Sequence, residues 1–131
     1  RPLAERIRYT ALSWPRFAHG PTEPTLGLQD ALDLPPGFNP RTLEWAAALR
    51  RDPRYAQADG NTLAAALMQH IRRENYSYTL APGLYDEAQR GTAIDEFWLD
   101  GKAGFCEHFA TAFVVILRAL DVPARVVTGY Q

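Results

Sequence analysis

The clearest pattern of hydrophobic and polar positions lies in residues 105–120. Apolar residues recur there at helical spacing and share one face: Phe105, Phe109, Ala112, Phe113, Ile116 and Leu120. A narrow polar stripe completes the helix and consists of Glu107, Thr111 and Arg118. A helix with so broad an apolar face must be largely buried. The pattern therefore predicts a buried helix that ends at residues 121–123 and leads into a strand over residues 124–130.

Two further helices are predicted upstream of this one. Asn39 and Pro40 are typical of a helix cap followed by a first-turn proline, and the apolar spacing continues to about Arg51. A second helix is expected to begin near Asp59 or Asn61. Its buried face would carry Leu63, Ala64, Leu67 and Ile71.

The remaining segments are predicted to be extended or irregular. Residues 6–12 alternate polar and apolar positions like a half-exposed strand, and residues 76–80 are typical of a short strand. Residues 81–104 are rich in glycine and predict a long loop. We divide the chain into an extended arm packed on the core, residues 1–38, and a core over residues 39–131.

The amino-acid composition argues against several classes of function. Hydrophobic residues make up 47% of the 131 residues, and 14 basic residues balance 15 acidic ones, for a net charge of −1. This balance argues against nucleic-acid and membrane-surface binding, which need a basic field. The longest apolar run, residues 112–117, is too short for a membrane span. Without an initial Met or a signal peptide, the sequence is expected to be a piece of a longer protein.

The single cysteine, Cys106, is the main candidate for chemistry. One cysteine excludes an internal disulfide, and three scattered histidines lack the spacing of a zinc site, so we predict no metal and no cofactor. Cys106 falls in the first turn of the predicted helix, where free backbone N–H groups and the helix dipole favour a thiolate. The same N–H groups would stabilise an oxyanion, and Gly104 leaves room for a substrate. The alternative is a buried cysteine that serves only packing.

No histidine in the chain is a convincing general base for this thiol. His108 lies two residues after Cys106, about 200° around the helix, and points nearly opposite to it. His19 lies in the proline-rich arm and His70 lies on another helix. Each is more typical of a surface or core position.

Residues 104–112 and 117–130 together resemble the core motif of bacterial transglutaminase-like proteins. Residues 76–82 and 94–99 resemble the subgroup attached to multi-spanning inner-membrane proteins. The resemblance implies a papain-like α+β fold in which the nucleophile, Cys106, opens a buried helix packed on an antiparallel sheet. It also implies a His and then an Asp on following strands. These have no counterpart before Gln131, so the sheet is expected to be incomplete and the chain to continue.

The resemblance further implies acyl transfer from a glutamine side chain to an amine or to water. Trp98 would be a wall of the site or an oxyanion donor, or else a packing residue. The partners would be a peptide or protein glutamine donor and an amine acceptor, for example a peptidoglycan stem peptide. The location would be a periplasmic domain whose only membrane contact is through spans outside this chain. Two alternatives stay open: a cysteine peptidase or deamidase of the same fold, and a silent module that binds peptide or peptidoglycan.

Five acidic residues precede the cysteine helix between residues 86 and 100, against one arginine. We interpret Asp95, Glu96 and Asp100 as an acidic rim that attracts a cationic acyl acceptor. The alternative is an ordinary solvated loop.

Overall fold

The computed structural model describes residues 6, 8–16, 25–86, 88 and 90–129. The elements in chain order are a 3-10 turn (Leu26–Ala31), helices α1 (Pro40–Arg51) and α2 (Gly60–Arg73), strand β1 (Ser77–Tyr78), the one-turn helix α3 (Ala93–Asp95) continued by a π-helical turn (Glu96–Gly101), strand β2 (Ala103–Gly104) and helix α4 (Cys106–Ala119). The predicted helices over residues 40–51 and from residue 60 are confirmed.

Helix α1 begins with a proline and takes its side-chain cap from a distant part of the chain. Pro40 has no N–H to satisfy, and the next two amides, of Arg41 and Thr42, donate to the Asp95 carboxylate at 3.2 and 2.7 Å. The sequence pattern predicts Asn39 as the cap. Asn39 precedes α1 in the left-handed region at φ 50°, but its side chain does not cap α1. A buried carboxylate 53 residues away from Thr42 supplies the cap instead.

Helix α2 follows the sequence prediction closely. Asp59 precedes the helix, and its carboxylate accepts a hydrogen bond from the Thr62 backbone N–H at 2.8 Å. Leu63 and Leu67 lie one turn apart on the buried face. Because these leucines are fully buried, this face fixes α2 against the core.

The core lies where α1, α2 and α4 meet the residue 93–101 segment. Its fully or almost fully buried apolar side chains are Ala46, Leu63, Leu67, Phe97, Trp98, Ala112, Ile116, Leu117 and Leu120. The predicted burial of α4 is confirmed for Ala112, Ile116 and Leu120, whereas Phe109 and Phe113 are half-buried. The first turn of α4 therefore lies at the edge of the core, and the last two turns lie inside it.

Several expectations for the irregular segments are wrong. The loop predicted over residues 81–104 contains α3, the π-helical turn and β2, because Phe97 and Trp98 are buried in the core and hold the backbone there. Residues 8–12 form no strand and are exposed, and part of the predicted irregular arm is the 3-10 turn. Residues 124–129 are not a strand either, because no described segment pairs with them beyond one bond from the Ala124 N–H to the Ala31 carbonyl.

The sheet of the described residues has two strands. Ser77 pairs with Ala103 and Tyr78 pairs with Gly104, and the two strands run parallel. The antiparallel arrangement expected from the family resemblance is not formed within the part of the chain that the structure describes. Parallel pairing follows from the connection, since residues 79–102 form a long crossover rather than a hairpin.

Candidate active site

Cys106 is exposed and is the first residue of α4. The structure therefore excludes the alternative of a buried cysteine that serves only packing. The residue lies directly after β2 and the N-cap residue Phe105, which has extended backbone angles. A thiol in this position is open to solvent and adjoins the positive end of a 14-residue helix.

Among the long helices of the described residues, α4 is the one whose first turn is not capped by a carboxylate. Asp95 accepts from the first turn of α1, and Asp59 does the same for α2. In α4, the backbone N–H groups of Cys106, Glu107 and His108 have no acceptor among the described residues. These three N–H groups thus remain available to an anion that forms beside the Cys106 sulfur.

The backbone that carries Cys106 is held from two sides. The Thr79 N–H donates to the Gly104 carbonyl at 2.8 Å, which pins β2 to β1. His108, one turn into α4, accepts from the Phe105 N–H through Nδ1 at 3.4 Å, a long hydrogen bond. Since both contacts flank Cys106 in the chain, they limit the movement of the thiol relative to the first turn of α4.

Gly104 is needed for packing in this structure. A Cβ atom at this position would lie 2.8 Å from His108 Cβ and 2.9 Å from Phe97 Cε2. The space that the sequence analysis reserved for a substrate above Gly104 is therefore filled by these two side chains. His108 itself packs between the rings of Phe105, Tyr85 and Phe97, at centroid distances of 4.4 to 5.6 Å.

Trp98 lies in the core rather than on the surface of the site. Its side chain is fully buried, and its ring contacts His70, Trp45 and Tyr76 at centroid distances of 5.0, 5.4 and 5.3 Å. Its Nε1–H has no hydrogen-bond partner within the described residues. These surroundings agree with the interpretation of Trp98 as a packing residue. A role in contact with substrate would require the ring to become exposed.

Of the remaining histidines, the structure describes His70, which lies in the core rather than beside the first turn of α4. His70 packs between Trp45 and Trp98, and this burial lowers the pKa of its imidazole below the usual value. His19 lies outside the described residues. Within the described ranges, no three His, Cys, Asp or Glu side chains form a group that would hold a metal ion.

The acidic rim predicted before α4 is not a row of free carboxylates. Asp95 is fully buried and caps α1, so it cannot lie on a solvent-exposed rim. Glu96 accepts from the Asp86 N–H at 2.7 Å and from the Thr92 hydroxyl at 2.8 Å. The prediction is wrong for Asp95. The sequence shows that a carboxylate is present at this position, but not that it accepts hydrogen bonds from backbone amides.

Asp100, the third residue of that rim, carries its own counter-ion. The Arg41 guanidinium donates two hydrogen bonds to its carboxylate, at 2.7 and 2.8 Å. This pairing lowers the pKa of Asp100 and largely cancels its field at a distance. Of the acidic residues near Cys106 that the structure describes, Glu107 is the one that forms no ion pair and accepts no side-chain hydrogen bond.

Beside the first turn of α4 lies an open groove of about 350 Å³. Phe105 and Glu107, the two neighbours of Cys106 in the chain, both line it. Its apolar surface comes from Leu84, Ile94 and Phe97. The sequence does not reveal this groove, because its walls come from three segments that only folding brings together.

This chain is similar to known proteins, and to one of them along its whole length. The model of the Transglutaminase-like superfamily matches residues 48–131. A protein-glutamine gamma-glutamyltransferase of Pseudomonas aeruginosa is 38% identical over 132 aligned residues, covering 100% of this chain and 18% of that protein. The uncharacterized protein YebA of Bacillus subtilis is 46% identical over 37 residues, or 28% of this chain and 5% of that protein. The chain thus spans about a fifth of the length of the first of these relatives.

Solved structures give the same result for the fold. Two crystal structures of the periplasmic domain of TgpA from P. aeruginosa, one of them bound to ethylmercury, match this chain with a TM-score of 0.70 and 39% identity. The match covers 79% of this chain and about a third of the TgpA chains, 34% and 33%. The predicted fold class is thereby confirmed, with the sheet incomplete. The family model covers most of the chain and the P. aeruginosa protein aligns with all of it, and so the chain belongs to the transglutaminase-like superfamily.

Proposed function

We propose that this chain carries the nucleophile of a thiol-dependent acyltransferase of the protein-glutamine gamma-glutamyltransferase type. The observation that supports this function most directly is the position of Cys106, exposed as the first residue of α4. The P. aeruginosa relative named as such an enzyme aligns with the whole chain and gives independent support.

In the proposed first step, the Cys106 thiolate attacks the γ-carboxamide carbon of a glutamine. The oxyanion that forms is stabilised by the free N–H groups of the α4 first turn. The C–N bond then breaks, and the departing nitrogen takes a proton and leaves as ammonia. A γ-thioester on Cys106 remains. The proton donor for the leaving group would be the histidine that the family resemblance implies.

In the second step, the thioester is captured. A primary amine attacks the thioester carbon and loses a proton to solvent; an amide forms, and the electron pair of the C–S bond returns to Cys106 as thiolate. Water in place of the amine yields glutamate, so the same thiol supports transfer or deamidation. A peptidase reaction would follow the same route, with a backbone amide as the group attacked. A silent binding module is the candidate from another class, and it would need no reactive thiol.

We propose further that the domain lies in the periplasm, as part of an inner-membrane protein. Support comes from TgpA, whose matching domain is periplasmic. Within the described residues, no helix is long and apolar enough to span a membrane. Peptides of the cell envelope, including peptidoglycan stem peptides, are the proposed pool of substrates.

The first test measures the reactivity of the thiol itself. Iodoacetamide alkylates Cys106 in the folded protein at pH 7, and the rate constant is compared with that of the double variant Cys106→Ala, Thr111→Cys. Thr111 is exposed and lies on the same helix, but beyond the first turn. We expect Cys106 to react at least about fivefold faster, because it lies at the helix start, where the N–H groups of the first turn are free to stabilise developing negative charge. Equal rates for the two positions would exclude an activated nucleophile.

The second test measures turnover in the full-length natural protein. A glutamine dipeptide and a fluorescent primary amine are supplied, and both ammonia release and amide formation are followed. Ammonia release without amide formation identifies the deamidase alternative. If neither product forms while the folded protein still binds the dipeptide, the silent binding module replaces the proposed enzyme.

A further inference from the structure

The reaction steps described above do not involve the groove beside α4. This groove has about 350 Å³ of space, and its lining combines apolar side chains with one carboxylate, Glu107, and with the polar side chains of Tyr85, His108 and Thr111. Leu84 contributes to the lining and is 79% exposed. An exposed leucine in a groove is a favourable contact for an apolar ligand, because binding removes its surface from water.

The groove adjoins the thiol along the chain. Phe105 and Glu107 both line it, and the Cα atoms of consecutive residues are about 3.8 Å apart. An extended peptide advances about 3.3 Å per residue. A peptide whose glutamine lies at Cys106 therefore has its next one or two residues within reach of the groove.

The charge of the groove selects among such peptides. Glu107 is exposed and, within the described part of the chain, unpaired, while the nearby Glu96 and Asp100 are engaged by Thr92 and Arg41. The side chains of Arg41 and Asp100 neutralise each other, and Glu107 is the one carboxylate among the residues that line the groove. A cationic side chain is the complement of this site, and an anionic one is repelled.

We propose that the groove lined by Leu84, Phe97 and Glu107 is a subsite for the acyl donor. It takes an apolar side chain next to the reactive glutamine, and Glu107 receives a basic residue one position further on. The assignment rests on the proposed function, and it adds the class of donor: a glutamine flanked by an apolar and then a basic residue. The groove therefore selects the donor peptide, whereas Cys106 carries out the reaction.

The test measures binding, so that it does not depend on turnover. The full-length protein carrying Cys106→Ala is titrated with a fluorescent acetyl-Arg-Leu-Gln-Leu-Arg-amide peptide, whose symmetry allows either chain direction. Leu84→Ser should weaken binding about fivefold, because the leucine contact is lost. Leu80→Ser is the matched control: Leu80 is 81% exposed in the same segment, does not line the groove, and should leave binding within twofold.

Charge is tested in the same format. The peptide with glutamate in place of both arginines should bind at least threefold more weakly, and Glu107→Gln should remove this difference. Glu44→Gln, which neutralises an exposed carboxylate outside the groove, should preserve the difference.

Three results would overturn the subsite. The first is equal peptide affinity with and without Leu84→Ser, and the second is equal weakening by Leu80→Ser. The third is equal binding of the arginine and the glutamate peptides. In the first case, a change of oligomeric state in Leu84→Ser, seen by sedimentation, would make the groove a contact between two copies. Each of these leaves the alkylation result for Cys106 untouched, so failure of the subsite and failure of the nucleophile are distinguishable.

Discussion

The Asp95 carboxylate accepts a hydrogen bond of 2.7 Å from the backbone N–H of Thr42, 53 residues earlier in the chain. A second bond of 3.2 Å from the Arg41 N–H completes the cap of α1. In return, Asn39, which precedes α1, accepts from the Ile94 N–H at 2.9 Å. This exchange of caps joins α1 to the segment that leads to β2 and Cys106.

Removal of this cap should destabilise the protein strongly. Asp95→Ala leaves two amide N–H groups at a buried helix end without an acceptor, and we expect a loss of about 2–4 kcal/mol in the free energy of unfolding. Urea denaturation followed by circular dichroism measures it. Glu44→Ala, at an exposed carboxylate paired with Arg51, is the control and should stay within about 0.5 kcal/mol. A comparable loss in both variants would contradict the role assigned to Asp95.

Gly104 should tolerate no side chain. Gly104→Ala forces a Cβ against His108 and Phe97, both fixed by their neighbours, and we expect a loss of about 1–3 kcal/mol. Thermal unfolding measures the change. Gly27→Ala, where nothing lies within 4 Å of an added Cβ, should be neutral or slightly stabilising. If Gly104→Ala unfolds at the wild-type temperature, the backbone before Cys106 is less tightly packed than the contacts indicate.

Stability should fall in mild acid through His70. Burial lowers its folded-state pKa below the unfolded value of about 6.5, so the unfolded chain binds the proton first. The contribution of His70 is complete above that unfolded value and is lost as the pH falls towards the folded one. Urea unfolding at pH 7.5 and 5.5 should show lower stability at pH 5.5. His70→Phe keeps an aromatic ring against Trp45 and Trp98 and should reduce the difference. An unchanged difference would assign the effect to other groups.

Cys106 and His108 should differ sharply in their importance for turnover. Cys106→Ala should abolish amide formation in the full-length protein, because it removes the atom that forms the thioester. His108→Ala should retain most of it, within about fivefold, because the His108 ring packs against Phe105 and its Nδ1 accepts from the Phe105 N–H. Initial rates at saturating amine, with circular dichroism as the folding control, measure both. Equal losses from the two folded variants would make His108 part of the reaction.

Helix positions were largely predictable from local patterns. Pro40 and Asp59 mark the starts of α1 and α2, and apolar spacing identifies the faces that Leu63, Leu67 and Ile116 bury. The short strand or extended segment predicted over residues 76–80 is confirmed by β1, whereas β2 lies in a segment predicted to be a loop. Residues 124–129 have a strand-like sequence, but they remain irregular because no described segment pairs with them.

The sequence alone determined which atom is available for chemistry. It contains a single thiol, at the start of an apolar helix, and helical spacing is a local property that neighbouring residues decide. The tertiary structure decided what surrounds that thiol. It placed Asp95 at the first turn of α1, Trp98 in the core, and Leu84 in the same groove as Glu107. Such relationships depend on contacts between residues far apart in the chain, and a carboxylate or an indole has the same formula whether it is buried or exposed.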